Sequence, residues 1–151
     1  MTILIIAIGL IIDRFTKIWA IKTLSPISEI SIIKDFFSFL YIQNKGAAFG
    51  IFQDKTIFLT IASIIVMIFI IYYIIKNKPK NKLVKISLSL IISGALGNLI
   101  DRIKYRYVVD FISVHYKDVY YFPIFNFADI MVVVGTVLLV LYLLKEEKHE
   151  N

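Results

Sequence analysis

The sequence has no cysteine and only two histidines, which excludes several kinds of catalytic and metal-binding site. Without cysteine, the chain has no disulfide, no thiolate metal site and no cysteine nucleophile. His115 lies in a polar connection and His149 in a charged tail, so a serine nucleophile has no buried histidine base. Ser93, inside an apolar run, is therefore interpreted as a small packing residue between helices.

Charged residues are also scarce: they make up 19% of the 151 residues, against 59% hydrophobic residues. The mean hydropathy of +0.81 is higher than that of a domain with one soluble core. The composition therefore predicts an integral membrane protein, with one domain over residues 1–151. The net charge of +6 is assigned to loops beside the membrane, and no nucleic-acid partner is expected.

Four segments are predicted to cross the membrane, since a helix needs roughly 20 apolar residues to do so. They cover about 3–22, 56–75, 83–101 and 127–144. The second has no charge, the third needs Lys85 to extend its amine to the interface, and the fourth begins with Asp129. The first must include Asp13, Arg14 and Lys17, so we interpret it as a span that carries polar groups.

The loop KNKPKNKLVK carries lysines and no acidic residue, which is typical of a cytoplasmic loop. Four spans then place both termini in the cytoplasm and the two longer connections on the outer side. Lys17 and Lys22 follow the first span on that outer side, against the rule, but the lysine loop is the larger bias. SIIKDFFSFLYIQ and YVVDFISV are rich in β-branched and aromatic residues, which predicts short strands at the outer membrane surface. The expected fold class is an all-α bundle of four transmembrane helices with a small extracytoplasmic β-rich segment.

Polar residues recur at helical spacing in the outer halves of two spans. Gly9, Asp13 and Lys17 form one stripe, and a second stripe in the third span contains Ser87, Gly94, Asn98 and Asp101. Asp129 begins the fourth span at the same depth, and Asp110 lies in the apolar segment VVDFI close to the membrane. Because charged groups inside spans avoid lipid, we expect these side chains to meet inside the bundle.

Two carboxyl groups held close together share one proton, so the pair contains a base and an acid at once. This is the chemistry of aspartic proteases, which needs no cysteine, histidine or metal. Several aspartates could hold Mg²⁺, but an enzyme acting on lipid phosphate needs a denser basic cluster, and only Arg102 is well placed. We therefore expect no metal and no cofactor.

Five sequence blocks resemble those of the lipoprotein signal peptidase (signal peptidase II) family. They are DRFTK (13–17), NKGAAFG (44–50), GALGNLIDR (94–102), VVDF (108–111) and FNFAD (125–129), and they come in the family's order. The resemblance covers nearly the whole chain. It implies a membrane aspartic endopeptidase of the bacterial cytoplasmic membrane, with its active site toward the outer face. It also implies prolipoprotein substrates, cut before a cysteine that carries diacylglycerol, and inhibition by the cyclic peptide globomycin.

The same resemblance implies roles for particular residues. Asp110 and Asp129 correspond to the catalytic pair. The positions matching substrate-binding or supporting residues are Asn44, Asn98, Arg102, Asn126, Asp13, Lys17 and Asp101. Gly46 belongs to a block whose small residues let a substrate backbone approach closely. Membrane lipids would surround the substrate, because a lipidated signal peptide reaches the site through the bilayer.

Two other classes of function use the same residues. A small proton-coupled transporter would employ the carboxylates as relay groups, but the chain has no inverted repeat or pair of broken helices. A structural membrane subunit would leave the cluster of polar side chains unexplained. Proton flux that depends on Asp129 would favour the transporter. Indifference to every polar substitution would favour the structural subunit.

Overall fold

The computed structural model is mostly helical, with a small sheet. It describes residues 1–27, 29–46, 52–117 and 119–150, with side chains as far as residue 147. The elements are α1 (Thr2–Thr23), β1 (Glu29–Ile33), β2 (Phe37–Asn44), α2 (Thr56–Asn77), α3 (Lys82–Tyr105), β3 (Val108–Tyr116), β4 (Tyr120–Tyr121) and α4 (Phe127–Glu150). A helix thus lies at each of the four segments predicted from hydropathy.

Three of these helices, α2, α3 and α4, are long and apolar enough to cross a membrane. The helix α1 has 22 residues, which is also a sufficient length, but it contains Asp13, Arg14, Lys17 and Lys22. By length and composition, the described residues therefore provide three candidate membrane helices. The helix α1 differs from them by its charges.

The helix α3 lies at the centre of the bundle and packs against each of the other three helices. Its small residues allow this close approach. A Cβ atom on Gly94 would lie 2.8 Å from Val132 Cγ2 and would collide with the carbonyl oxygen of Ala128. On the α1 side, the Ser93 hydroxyl donates to the carbonyl of Ile6 (3.2 Å), which agrees with its interpretation as a packing residue.

The helix α2 is peripheral. Met67 is its only buried residue, and within the described residues α2 packs on α3 alone among the helices. The α1 and α2 helices therefore both contact α3 without packing against one another. A groove remains between them on the surface of α3.

The four strands form one antiparallel sheet in the order β1-β2-β3-β4. The first three confirm the predicted strands, and β4 was not predicted. Aromatic rings attach the sheet to α1. Trp19 makes edge contacts with Phe39 and Phe111, at centroid distances of 5.3 and 6.1 Å. Pairing of β2 with β3 sets Ile42 opposite Asp110. The sheet thereby fixes the position of one predicted catalytic carboxyl group.

The helix α3 extends beyond its predicted end at residue 101. It ends at Tyr105 because Arg106 takes a left-handed conformation (φ 66°), and the Arg106 backbone N–H donates to the Arg102 carbonyl at 3.1 Å. The side chain of Arg102 is therefore carried on a regular helical turn.

Candidate active site

Asn126 connects the two predicted catalytic carboxyl groups. Its side-chain amide donates to Asp110 Oδ1 at 2.6 Å, and its backbone N–H donates to Asp129 Oδ2 at 3.1 Å. The Asp129 backbone N–H in turn donates to Asn126 Oδ1 at 3.1 Å. This reciprocal pair is a cap at the start of α4, so the local fold that begins the helix also holds both carboxyl groups at one residue.

The second oxygen of Asp110 is held from β2. Asn44 Nδ2 donates to Asp110 Oδ2 at 2.8 Å, while Asn44 Oδ1 accepts from the backbone N–H of Gly46 at 2.9 Å. The contact from Gly46 determines which end of the amide is free to donate. The remaining residues of the NKGAAFG block, 47–50, lie outside the described residues.

Burial changes the acidity of Asp110, whose exposed fraction is only 2%. Burial, followed by the nearby Asp129 carboxyl, raises the pKa of Asp110 from 3.8 to about 7. The amide hydrogen bonds from Asn44 and Asn126 lower this pKa, so they oppose the shift without cancelling it. A raised pKa of this kind suits a pair of carboxyl groups that shares one proton.

Lys17 fixes the orientation of the amide that contacts Asp129. The ammonium group of Lys17 donates to Asn98 Oδ1 at 2.8 Å, and Asn126 Nδ2 is 3.2 Å from the same oxygen. With its oxygen occupied by donors, Asn98 presents Nδ2 to Asp129 Oδ1 at 2.7 Å. Both oxygens of Asp129 therefore accept a hydrogen bond from an N–H group.

Below the carboxyl pair, Lys17 belongs to a buried ion network. Its Nζ lies 3.0 Å from Asp13 Oδ1 and 2.9 Å from Asp101 Oδ2. Arg14 contacts the same two aspartates, at 2.6 Å from Asp13 and 2.7 Å from Asp101. Two cations and two anions compensate one another, as buried charges require. The stripes predicted on α1 and α3 do meet inside the bundle.

The position of Lys17 also explains why it runs against the lysine bias of the loops. Its side chain is 1% exposed and is paired with aspartates, so it does not report which side of a membrane a loop occupies. Lys22 is exposed near the end of α1, so this explanation does not extend to it.

Arg14 is a site residue that the spacing analysis missed. Adjacent residues do not share a helix face, so attention to the i,i+4 spacing of Asp13 and Lys17 passed over it. In the structure its guanidinium also donates to the carbonyl of Gly97 at 3.0 Å and so ties α1 to α3. An arginine inside a span needs an anionic partner, which was the available signal.

Arg102 has the opposite environment. It is half-buried and interacts electrostatically with Asp110 and Asp129, yet it forms no hydrogen bond or ion pair with any residue that the structure describes. Its donors therefore remain available to a ligand. Among all the residues that the structure describes, no group of three or more His, Asp or Glu side chains is placed to hold a metal ion.

The sequence is similar to those of known proteins. The family model described as "Signal peptidase (SPase) II" matches residues 5–145. The chain is 58% identical to the lipoprotein signal peptidase of Clostridium tetani, over 100% of this chain and 97% of that protein. It is 59% identical to that of Clostridium novyi, over 98% and 100% of the two chains.

A solved bacterial membrane enzyme has the same fold. It superposes with a TM-score of 0.88 at 36% identity, covering 99% of this chain and 91% of that one. A second such structure gives a TM-score of 0.83 at 37% identity, covering 95% and 92%. With a family match over most of its length and relatives above 50% identity, the chain belongs to the signal peptidase II family of aspartic endopeptidases.

Proposed function

We propose that Asp110 and Asp129 are the catalytic pair with which this signal peptidase II removes signal peptides from prolipoproteins. The bond cleaved is the one before the diacylglyceryl-modified cysteine. The observation that carries this proposal is the Asn126 bridge, which places two carboxyl groups from separate elements around one amide. Asn44 and Asn98 also donate to these two groups.

The reaction needs one proton on the pair. The ionised carboxyl takes a proton from a water molecule as the water oxygen attacks the scissile carbonyl carbon. The protonated carboxyl donates to the carbonyl oxygen, giving a tetrahedral intermediate with two hydroxyl groups. Collapse breaks the C–N bond: a carboxyl proton passes to the departing nitrogen, while one hydroxyl group of the intermediate returns its proton to the other carboxylate and re-forms the carbonyl. The raised pKa of Asp110, about 7, keeps the shared proton on the pair near neutral pH.

Asn44, Asn98 and Asn126 hold the carboxyl oxygens by donating to them. Arg102 binds the substrate, either at a backbone carbonyl or at an oxygen of the lipid head group, because its fork of donors is free. Lys17, Asp13, Asp101 and Arg14 form the rigid base of the site. Fixed donors of this kind stabilise charge without reorganisation during the reaction.

The enzyme acts in the bacterial cytoplasmic membrane with four spans, α1 being the first. The inward-facing charges of α1 support this, since its ion pairs lie on the bundle side and leave apolar residues such as Ile11 and Phe15 exposed. The carboxyl pair lies near the start of α4 and beyond the end of α3, whereas the lysine loop joins α2 to the start of α3. A cytoplasmic loop therefore places both termini inside and the site toward the outer face.

The test is cleavage of a diacylated prolipoprotein and of the same protein without the lipid, each incubated with purified enzyme. We expect the lipidated substrate alone to be cut before the modified cysteine, and globomycin to inhibit the cleavage. Equal cleavage of the two substrates would contradict the lipid requirement. Cleavage that persists in Asp110→Asn or Asp129→Asn would remove that residue from the catalytic pair.

A further inference from the structure

At the end of the bundle away from the carboxyl pair, a cavity of about 240 Å³ opens among α1, α2 and α3. Its lining consists of Thr2, Ile74, Lys78, Pro79 and Lys85. Two lysines, one threonine and two apolar residues thus line a space the size of a few small polar groups. The catalytic machinery described above uses none of these residues.

The two lysines project from ordered backbone. Lys78 ends α2 in a left-handed conformation, with its N–H donating to the carbonyl of Ile74 at 3.0 Å, and Pro79 then prevents continuation of the helix. Lys85 lies in the first turn of α3, where its N–H donates to the carbonyl of Asn81 at 3.2 Å. Both lysines therefore leave ordered backbone beside the cavity.

The protein supplies no anion here within the described residues. None of the ion pairs there involves Lys78 or Lys85, and the first turns of α1 and α3 contain no acidic residue. The buried ion network near the carboxyl pair shows the contrary pattern, in which each cation contacts two carboxylates. The lysines that line the cavity therefore have no carboxylate partner among the described residues.

The gap between α1 and α2 adjoins the cavity, and its α2 side is apolar. The α1 and α2 helices both pack on α3 but not on each other in the described part of the chain, and Thr2 and Ile74 lie at the end of the gap between them. Ile71, one turn from Ile74 on the same side of α2, is exposed. A ligand with an anionic head and an apolar tail matches both parts of this surface.

We propose that the lysine cavity, formed by the five residues given above, binds the phosphate head group of an anionic phospholipid, whose acyl chains occupy the groove between α1 and α2. Basic pockets between membrane helices are suited to such head groups. The charge complementarity and the adjoining apolar groove favour a lipid over a soluble phosphate. The site is independent of the peptidase reaction.

The test compares two double variants that lose the same charge. Lys78→Gln with Lys85→Gln removes the cavity lysines, and Lys80→Gln with Lys82→Gln removes two exposed lysines of the same loop that do not line the cavity. Each purified protein in detergent is titrated with phosphatidylglycerol or with phosphatidylcholine of the same acyl chains, and bound lipid is counted by native mass spectrometry. Peptidase activity in phosphatidylcholine vesicles shows that each variant is folded.

We expect one retained phosphatidylglycerol on the unmodified protein and on the control variant, and roughly 30-fold weaker binding to the cavity variant. Phosphatidylcholine should bind equally weakly to the unmodified protein and to the cavity variant. Glycerol phosphate should not displace phosphatidylglycerol from the unmodified protein. Equal losses in both double variants would show diffuse attraction to the loop and overturn the proposal. Equal retention of the two lipids, or displacement by glycerol phosphate, would also overturn it.

Discussion

The helices α2 and α3 have nearly the same length but opposite surroundings. The most apolar stretch of α2 has a mean hydropathy of 2.7, and 6% of its residues are buried. The corresponding stretch of α3 has a mean hydropathy of 1.8, and 56% of its residues are buried. In a soluble protein the more apolar helix would be the more buried one. In a membrane, apolar side chains lose little by facing lipid, while polar and small side chains must face protein. The less apolar helix therefore marks the interior and the site.

The largest expected effect concerns the carboxyl pair beside α3. Asp110→Asn and Asp129→Asn should each lower kcat by roughly 10³-fold or more, because an amide supplies neither the acid nor the base. The measurement is cleavage of a diacylated prolipoprotein at saturating substrate. Asp35→Asn, at an exposed turn, is the matched control and should retain full activity.

The next effect concerns the ion network between α1 and α3. Lys17→Met leaves Asp13 and Asp101 with Arg14 as their remaining cation, and should lower the free energy of unfolding by about 3–5 kcal/mol. Thermal unfolding in detergent measures this change. Lys22→Met, on the exposed face of the same helix, should have little effect. Similar losses in both variants would mean that the buried ion pairs of Lys17 do not stabilise the fold more than an exposed lysine does.

The free energy of unfolding should also depend on pH, by a similar or smaller amount, because the carboxyl group of Asp110 is buried. Its pKa is raised from 3.8 to about 7, so the neutral form favours the folded protein. This contribution is fully present below pH 3.8 and is lost as the pH rises through about 7. It amounts to about 4 kcal/mol at most. Thermal unfolding from pH 4 to pH 8 should show this loss, and Asp110→Asn should reduce the slope. An unchanged slope in the variant would assign the dependence to other groups.

The smallest effect compares packing on the two helices directly. Gly94→Ala should destabilise the protein by about 1–3 kcal/mol, because its Cβ collides with the Ala128 carbonyl, which belongs to the backbone of α4. Ile68→Ala on α2 exchanges one lipid-facing side chain for another and should cost about 0.5 kcal/mol or less. The two melting temperatures give the comparison. A larger loss for Ile68→Ala would indicate that α2 has a protein partner.

Much of the site could be predicted from local spacing. The stripe of Gly9, Asp13 and Lys17 on α1 is buried, as is that of Asn98 and Asp101 on α3, because i,i+4 spacing places residues on one face whatever that face contacts. Arg14 was not predicted to belong to the site. Its partner on α3, Asp101, is 87 residues away in the chain, and spacing within one helix carries no information about a neighbouring helix.

Local sequence features were enough to locate the candidate membrane helices α2, α3 and α4, the lysine loop and the strands β1 to β3. Hydropathy, length and charge are properties of consecutive residues, and the bilayer responds to them directly. The way in which Asn126 joins Asp110 to Asp129, and in which Lys17 orients the amide of Asn98, depends on the packed fold. These contacts depend on the rotation of each helix about its axis, which is set by the packing of small residues on α3.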